Sequence, residues 1–419
     1  MGLLTNFARI WLTRSFKPFR FTNKHNSVLT YENAKNLGLY VHIPFCASIC
    51  AFCPYCKTVF DGELAKRYTN ALLREIDMIG SMSSGTKTEV TSLYFGGGSP
   101  ALIAYDIGRI IAEIKKYFII NDGIGIELHP QDVTEQTLSV LKQAGITKIS
   151  IGIQSFQSEY LEILERQHTD FEKMFAELSK VPFETVSMDF IFALPGQTIE
   201  LLKKDIEYAF SHGANHIAVY PFIDFTFTNR RFPKMSETEK KNLLYELVGY
   251  CEEKGYKRDS IWTFSKDGKS KYSSMTRENF LGFGCSATTL LKYQFCINTF
   301  NAEKYIERIE KQQLPTALSL HFTLRQRMVY YLFWAAYTMR VSRNGFRDFF
   351  ELPLEGYYGT ELWIARKLGW IRKEENDYIM TTKGSYYYHY FEYFYTLSYI
   401  DRMWNLMREA AFPEELIIR

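Results

Sequence analysis

From Leu37 onward, short apolar runs alternate with amphipathic stretches, the rhythm of repeated βα units around a parallel sheet. The runs predict six strands, over residues 38–42, 90–95, 125–128, 148–153, 186–192 and 216–220. Between them, 3.6-residue periodicity bounded by Gly, Pro, Asn, Asp, Ser or Thr predicts helices at 64–81, 105–117, 135–144 and 199–211. A partial (βα)6 TIM-like barrel is the α/β architecture this order implies. After about residue 315 the rhythm stops. Helices there, with a strand-like 377–381 and a Lys383-Gly384 turn, suggest a small winged-helix-like domain. The expected division is an extension over 1–36, the barrel and its extension over 37–314, and a C-terminal domain over 315–419.

Composition changes little in this picture. The 419 residues are 46% hydrophobic and 23% charged, the balance of an ordinary globular chain. A net charge of +3 is too small to argue for nucleic acid. The longest apolar run, 328–339, is well short of the roughly 20 residues that span a bilayer and reads as a buried helix. Near the start, Phe7, Ile10, Trp11, Phe16, Phe19 and Phe21 interleave with Arg9, Arg14, Lys17 and Arg20. That mixture suits peripheral membrane contact and a helix docked on the barrel equally well.

The cysteines sharpen the reading. Of seven, four crowd together at Cys46, Cys50, Cys53 and Cys56, while Cys251, Cys285 and Cys296 are scattered. One dense cluster in an odd count points to a metal site in a reducing compartment, hence a cytoplasmic protein, rather than to disulfides. The CxxxCxxC spacing of Cys46, Cys50 and Cys53 lets one loop hold three irons of a [4Fe–4S] cubane and leaves the fourth iron open. Zinc knuckles use paired CxxC spacings instead. Cys56 reads as a thiol beside the cluster, not a ligand.

The segment Tyr40-Val41-His42-Ile43-Pro44-Phe45-Cys46-Ala47-Ser48-Ile49-Cys50-Ala51-Phe52-Cys53 resembles the cluster loop of radical S-adenosylmethionine (SAM) enzymes, and specifically that of the oxygen-independent coproporphyrinogen III oxidase family. The similarity runs from about Tyr40 to Tyr305. It implies that the open iron binds the methionine part of SAM and that one electron, from a donor such as flavodoxin or ferredoxin, splits SAM to a 5′-deoxyadenosyl radical. Barrel enzymes gather reactive groups at the C-terminal strand ends, and the family's SAM contacts fall there. Tyr40, Gly97, Gly98 and Ser99 match its contacts to the methionine end, with Phe52 in the cluster loop beside them. Glu127, Gln154, Arg166 and Asp189 match the remaining SAM-binding positions. The Gly96-Gly97-Gly98-Ser99-Pro100 turn can bring backbone N–H groups close to a ligand. Asp189, on an apolar strand, needs a partner such as Arg166 or a ligand hydroxyl. His42 and His129 read as structural, Cys285 reads as a packed thiol, and no side chain is assigned as a catalytic acid or base.

The small-molecule substrate is less legible. Haem-trafficking relatives carry His-Asn-x-x-Tyr-Trp where this chain has Ser274-Met275-Thr276-Arg277-Glu278-Asn279-Phe280, and the oxidases carry a different cysteine tail. These departures favour a branch that uses two SAM molecules to methylate carbon or to form cyclopropanes. Haem opening, coproporphyrinogen-type oxidation and haem carriage are the alternatives. The aromatic run from Tyr386 to Tyr395 reads as core or domain interface.

Overall fold

The computed structural model describes residues 2–24, 28–83, 85–228, 233, 235–268 and 278–418. Six of its strands follow the expected order: β1 (Leu37–Ile43), β2 (Leu93–Gly97), β3 (Ile124–Leu128), β4 (Lys148–Gln154), β5 (Thr185–Phe192) and β6 (His216–Pro221). Each pairs in parallel with the next. A seventh, β7 (Asn279–Phe283), pairs in parallel with the outer side of β1. The sheet is open at both ends, a partial barrel. Leu39, Val41, Phe95, Ile126, Ile149, Ile151, Met188 and Phe190 are wholly buried along its strands, which is why these read as near-continuous apolar runs.

Several of the helices between the strands begin where side chains cap them. Asp61 accepts the Leu64 N–H at 2.8 Å to open α1 (Gly62–Gly80). Leu93 to Gly97 then leads into α2 (Ala104–Tyr117), and Thr134 caps α3 (Glu135–Gln143). Thr198 caps α4 (Ile199–Ser211). These caps satisfy N–H groups that the first helical turn leaves without partners.

Three expectations change. Residues 90–95 are not one strand: Thr88–Val90 pairs with Phe118–Ile120 in a separate ribbon, and β2 starts at Leu93. Buried Ser92 separates two apolar stretches that read as continuous from sequence. The wing turn lies at residues 375–376, between Ile371–Glu374 and Asp377–Met380. Lys383 and Gly384 instead open α5 (Thr382–Tyr395), where Thr381 Oγ1 accepts the Gly384 N–H at 3.0 Å. Finally, the sheet does not stop at the barrel. Thr288–Leu290, Gln294–Asn298, Thr316–His321, Phe19–Thr22 and Glu415–Ile418 continue it in antiparallel order, so it draws strands from all three expected segments.

The helix Gly2–Thr13 docks on the C-terminal domain rather than on the barrel. Leu12 packs there, Tyr358 donates to its carbonyl, and Arg14 pairs with Glu361. Its outer stripe of Leu3, Phe7 and Trp11 is exposed. Among the described residues, no helix is long and apolar enough to cross a membrane. On α5, Tyr386 and Tyr388 are buried and Tyr388 donates to the Phe333 carbonyl at 2.9 Å, so this part of the aromatic run is an interface. The final helix, α6 (Asp401–Glu409), lies over the C-terminal ends of the barrel strands. Asp401 accepts the backbone N–H and the hydroxyl of Thr226, and Arg408 donates to the Pro54 and Tyr55 carbonyls.

Candidate functional site

The cluster loop leaves β1 and is fastened at both ends. Residues Phe45 and Cys46 pair with Thr58 and Val59, and Lys57 Nζ donates to the carbonyls of Cys50 and Cys53 at 2.8 and 2.7 Å. This ammonium gathers the middle of the loop and places a positive charge beside the thiols. Cys46, Cys50 and Cys53 are half-buried. Burial, reinforced by Cys53 and Cys50, pushes the Cys46 thiol up to about 12, and burial raises Cys53 as well. Three soft donors converge here within reach of Lys57 and Arg166, and iron would be needed to hold them as thiolates. Phe52 anchors the loop's far side against the patch of Tyr160, Leu164, Ile191 and Leu194.

The glycine turn is welded to this loop. Gly98 N–H donates to the Ile43 carbonyl at 2.8 Å and Ser99 N–H to the Phe45 carbonyl at 2.6 Å. Gly97, at φ +124°, gives its N–H to Glu127 Oε2 at 3.0 Å. All three of these N–H groups bond inside the protein. The Ser99 hydroxyl likewise donates to Asp132. A Cβ on Gly98 would lie 2.3 Å from the Phe45 carbonyl oxygen and 2.8 Å from Cys46 Sγ, so the close approach itself is what requires glycine.

Glu127, at the end of β3, also accepts the Tyr94 hydroxyl at 2.9 Å. Tyr94 stacks on Tyr40, with centroids 6.2 Å apart, and the Tyr40 hydroxyl bonds His42 Nδ1 at 3.0 Å. Asp189 is held by the hydroxyls of Ser150, at 2.8 Å, and Ser187, at 3.4 Å. Arg166 is not its partner, a correction: its guanidinium donates to the Gly152 carbonyl and lies 3.4 Å from Cys50 Sγ. Burial pushes both Glu127 and Asp189 up to about 7, and the Glu127 charge adds to the rise at Asp189. Two carboxylates within electrostatic reach of each other on the mouth's floor offer acceptors to hydroxyl or ammonium groups. Gln154 ends β4 at φ +70°, a left-handed conformation unusual for a side-chain-bearing residue and one concentrated at ligand sites. His129 accepts the Gln131 N–H, and burial holds it down at about 3, so it stays neutral.

The structure adds residues that sequence reasoning missed. Trp404 on α6 stacks on Phe225, with centroids 5.7 Å apart and planes 16° from parallel. It also meets Tyr55 of the cluster loop at 5.9 Å, Phe227 at 6.3 Å and Phe300 at 6.4 Å. Arg408 lies over Phe227 at 4.4 Å. An aromatic wall with a guanidinium thus closes one side of the mouth. The placement of Tyr55 between two cluster-loop cysteines was the one available signal.

This barrel, three-thiol loop and pair of buried carboxylates are matched by comparison: residues 40–209 match the Radical SAM superfamily, so this part of the chain is a radical SAM domain. The chain is 26% identical over 362 residues to the heme chaperone HemW of Bacillus subtilis (strain 168), covering 82% of this chain and 95% of that one. It is 27% identical over 297 residues to the anaerobilin synthase of Escherichia coli O157:H7, covering 67% and 66%. The solved coproporphyrinogen III oxidase HemN of Escherichia coli superposes with a TM-score of 0.75 at 21% identity, covering 91% of this chain and 96% of that one, and so shares its fold.

Proposed function

We propose that the chain holds a [4Fe–4S] cluster on Cys46, Cys50 and Cys53, binds SAM across Tyr40, Glu127, Gln154 and Asp189, and chemically alters a tetrapyrrole. When bound, the cluster and SAM supply reductive cleavage of SAM. The observation carrying this reading is that Tyr55, which meets Trp404 at 5.9 Å, lies within electrostatic reach of Cys53 and of both buried carboxylates, Glu127 and Asp189. Flat rings stack favourably on the aromatic wall around Trp404, and a guanidinium can meet peripheral carboxylates. Within the pocket, Glu127 serves as acceptor for SAM's polar groups while its second oxygen fixes the Gly97 turn. Asp189, fixed by two serines, lies on the same floor. Arg166 holds the strand β4 exit against the cluster loop.

Carbon methylation with a second SAM, favoured by the sequence departures alone, has no support in the relatives named above, each described by haem, coproporphyrinogen or anaerobilin. Of that motif, residues 274–277 lie outside the described residues. Haem carriage is the second reading, supported by the end-to-end similarity to a heme chaperone. Anaerobic turnover with a reductant such as flavodoxin separates the two. The proposal expects 5′-deoxyadenosine to accumulate together with a tetrapyrrole of altered mass when haem or coproporphyrinogen III is supplied. Haem recovered bound and unaltered would support carriage instead.

A further inference from the structure

Where the cluster loop ends, His42, Cys56 and Cys285 bring one ligand atom each within 4.8 Å of the others. All three are buried, and they come from three separate elements: β1, the exit of the cluster loop, and the turn after β7. We propose that these residues form a second metal site, distinct from the iron–sulfur site, for one thiophilic divalent cation of the zinc class.

Two thiols and an imidazole are a donor set that zinc takes in structural sites. Ligated as two thiolates and a neutral imidazole, a divalent cation leaves the buried site with no net charge, so burial carries no unpaired ion. The surroundings hold the ligands in place as supporting groups do around metals. The Tyr40 hydroxyl occupies His42 Nδ1 at 3.0 Å, leaving Nε2 to face the two sulfurs. The Tyr68 hydroxyl donates to the His42 carbonyl at 2.9 Å and accepts the Cys285 N–H at 2.8 Å, tying two ligand-bearing segments to one ring. Gly284, at φ +94°, packs its backbone where a Cβ would lie 2.5 Å from that hydroxyl. Its N–H donates to buried Glu75, which also receives the Tyr305 hydroxyl at 2.6 Å and the Asn298 amide at 3.1 Å.

Without a cation the Cys56 thiol donates to the Phe300 carbonyl at 3.0 Å, Cys285 bonds Cys56, and His42 Nε2 rests 3.0 Å from the Cys56 carbonyl. Uptake of the cation releases both thiol protons and shifts the imidazole proton from Nε2 to Nδ1, where the Tyr40 hydroxyl accepts its hydrogen bond, so that Nε2 leaves that carbonyl for the metal. The Phe300 carbonyl and the Ser286 hydroxyl, both bonded to the Cys56 thiol, are the oxygen atoms in reach of a fourth position. The consequence is a staple: the end of the cluster loop becomes joined to β1 and to the β7 turn independently of the iron.

The test uses the full chain with Cys46, Cys50 and Cys53 all replaced by Ser, which removes the iron–sulfur ligands and keeps the second site. Elemental analysis after zinc supplementation and removal of excess should give about one zinc per chain. X-ray absorption should show sulfur at about 2.3 Å and nitrogen at about 2.0–2.1 Å. Adding Cys285→Ala or Cys56→Ala should bring zinc close to none, whereas Cys251→Ala should change nothing. If the triple variant does not fold, wild-type protein carrying its cluster is analysed instead, and the expectation is about one zinc beside the iron. Zinc absent from every form, zinc retained in Cys285→Ala, or a Cys56–Cys285 disulfide in anaerobically purified protein would overturn the site.

Discussion

Gly98 offers a sharp test of how the turn and the cluster loop depend on each other. Its φ is not in the left-handed region, so alanine brings no backbone strain and the effect is steric alone. The new Cβ would lie 2.3 Å from the Phe45 oxygen, 2.8 Å from the Phe45 carbonyl carbon and 2.8 Å from Cys46 Sγ. A carbon reaches its van der Waals optimum at about 3.5–4.0 Å from another carbon, so the loop must retreat by roughly 1 Å. Overpacking of this kind costs about 1–3 kcal/mol. The 2.8 and 2.6 Å hydrogen bonds from Gly98 and Ser99 would also be stretched, at about 1 kcal/mol each. The barrel core, far larger, should stay folded. Gly98→Ala is therefore expected to melt as a folded protein with a lowered midpoint, to incorporate much less iron and sulfide on reconstitution, and to lose SAM cleavage by roughly 10²-fold. Gly96→Ala is the control: its Cβ would meet the Tyr40 ring at 3.0 Å and the Glu127 carboxylate at 3.1 Å, both side chains that can give. It should keep the cluster and weaken SAM binding. A Gly98→Ala protein with a full cluster and unchanged turnover would refute the argument.

Replacing Cys46, Cys50 or Cys53 singly by Ala should abolish the cluster by iron and sulfide analysis, while Cys56→Ala should retain it. SAM affinity should rise with pH through about 7, because Glu127 and Asp189 are protonated below that value and lose their acceptor charge. The sign for stability is opposite. Folded-state values raised from 4.5 and 3.8 to about 7 mean that the folded chain binds extra protons between those limits, so ligand-free protein should lose stability as pH rises toward 7. Asp189→Asn should flatten that slope in pH-dependent denaturation. Trp404→Ala should weaken tetrapyrrole binding by about tenfold, the scale of one or two aromatic contacts, with SAM affinity unchanged in equilibrium titration.

The barrel was legible because its strands are buried on both faces and their apolar runs stand out between capped helices. The loop chemistry was legible because Cys46, Cys50 and Cys53 lie within one short segment. What failed to show was contact between distant segments. The carboxylate of Asp189 announces a need for a partner, yet nothing in the sequence chooses Ser150 and Ser187 over Arg166. The strand break at Ser92 and the placement of Lys383 and Gly384 inside α5 depend on local hydrogen bonding that hydropathy does not register. Trp404 carries no motif and meets the mouth only because α6 folds over it. Cys56 and Cys285 become a pair only when β7 closes beside β1.

The central claim is that SAM binds directly at a cluster held by this loop. Electron paramagnetic resonance of anaerobically reconstituted, chemically reduced protein, recorded before and after SAM is added, tests it most directly. The account predicts a reduced [4Fe–4S] signal whose g values shift on SAM addition, absent in Cys50→Ala and present but unresponsive when Glu127 and Asp189 are both replaced by Ala. A protein that reconstitutes no such signal, or whose signal SAM leaves unmoved, would contradict it.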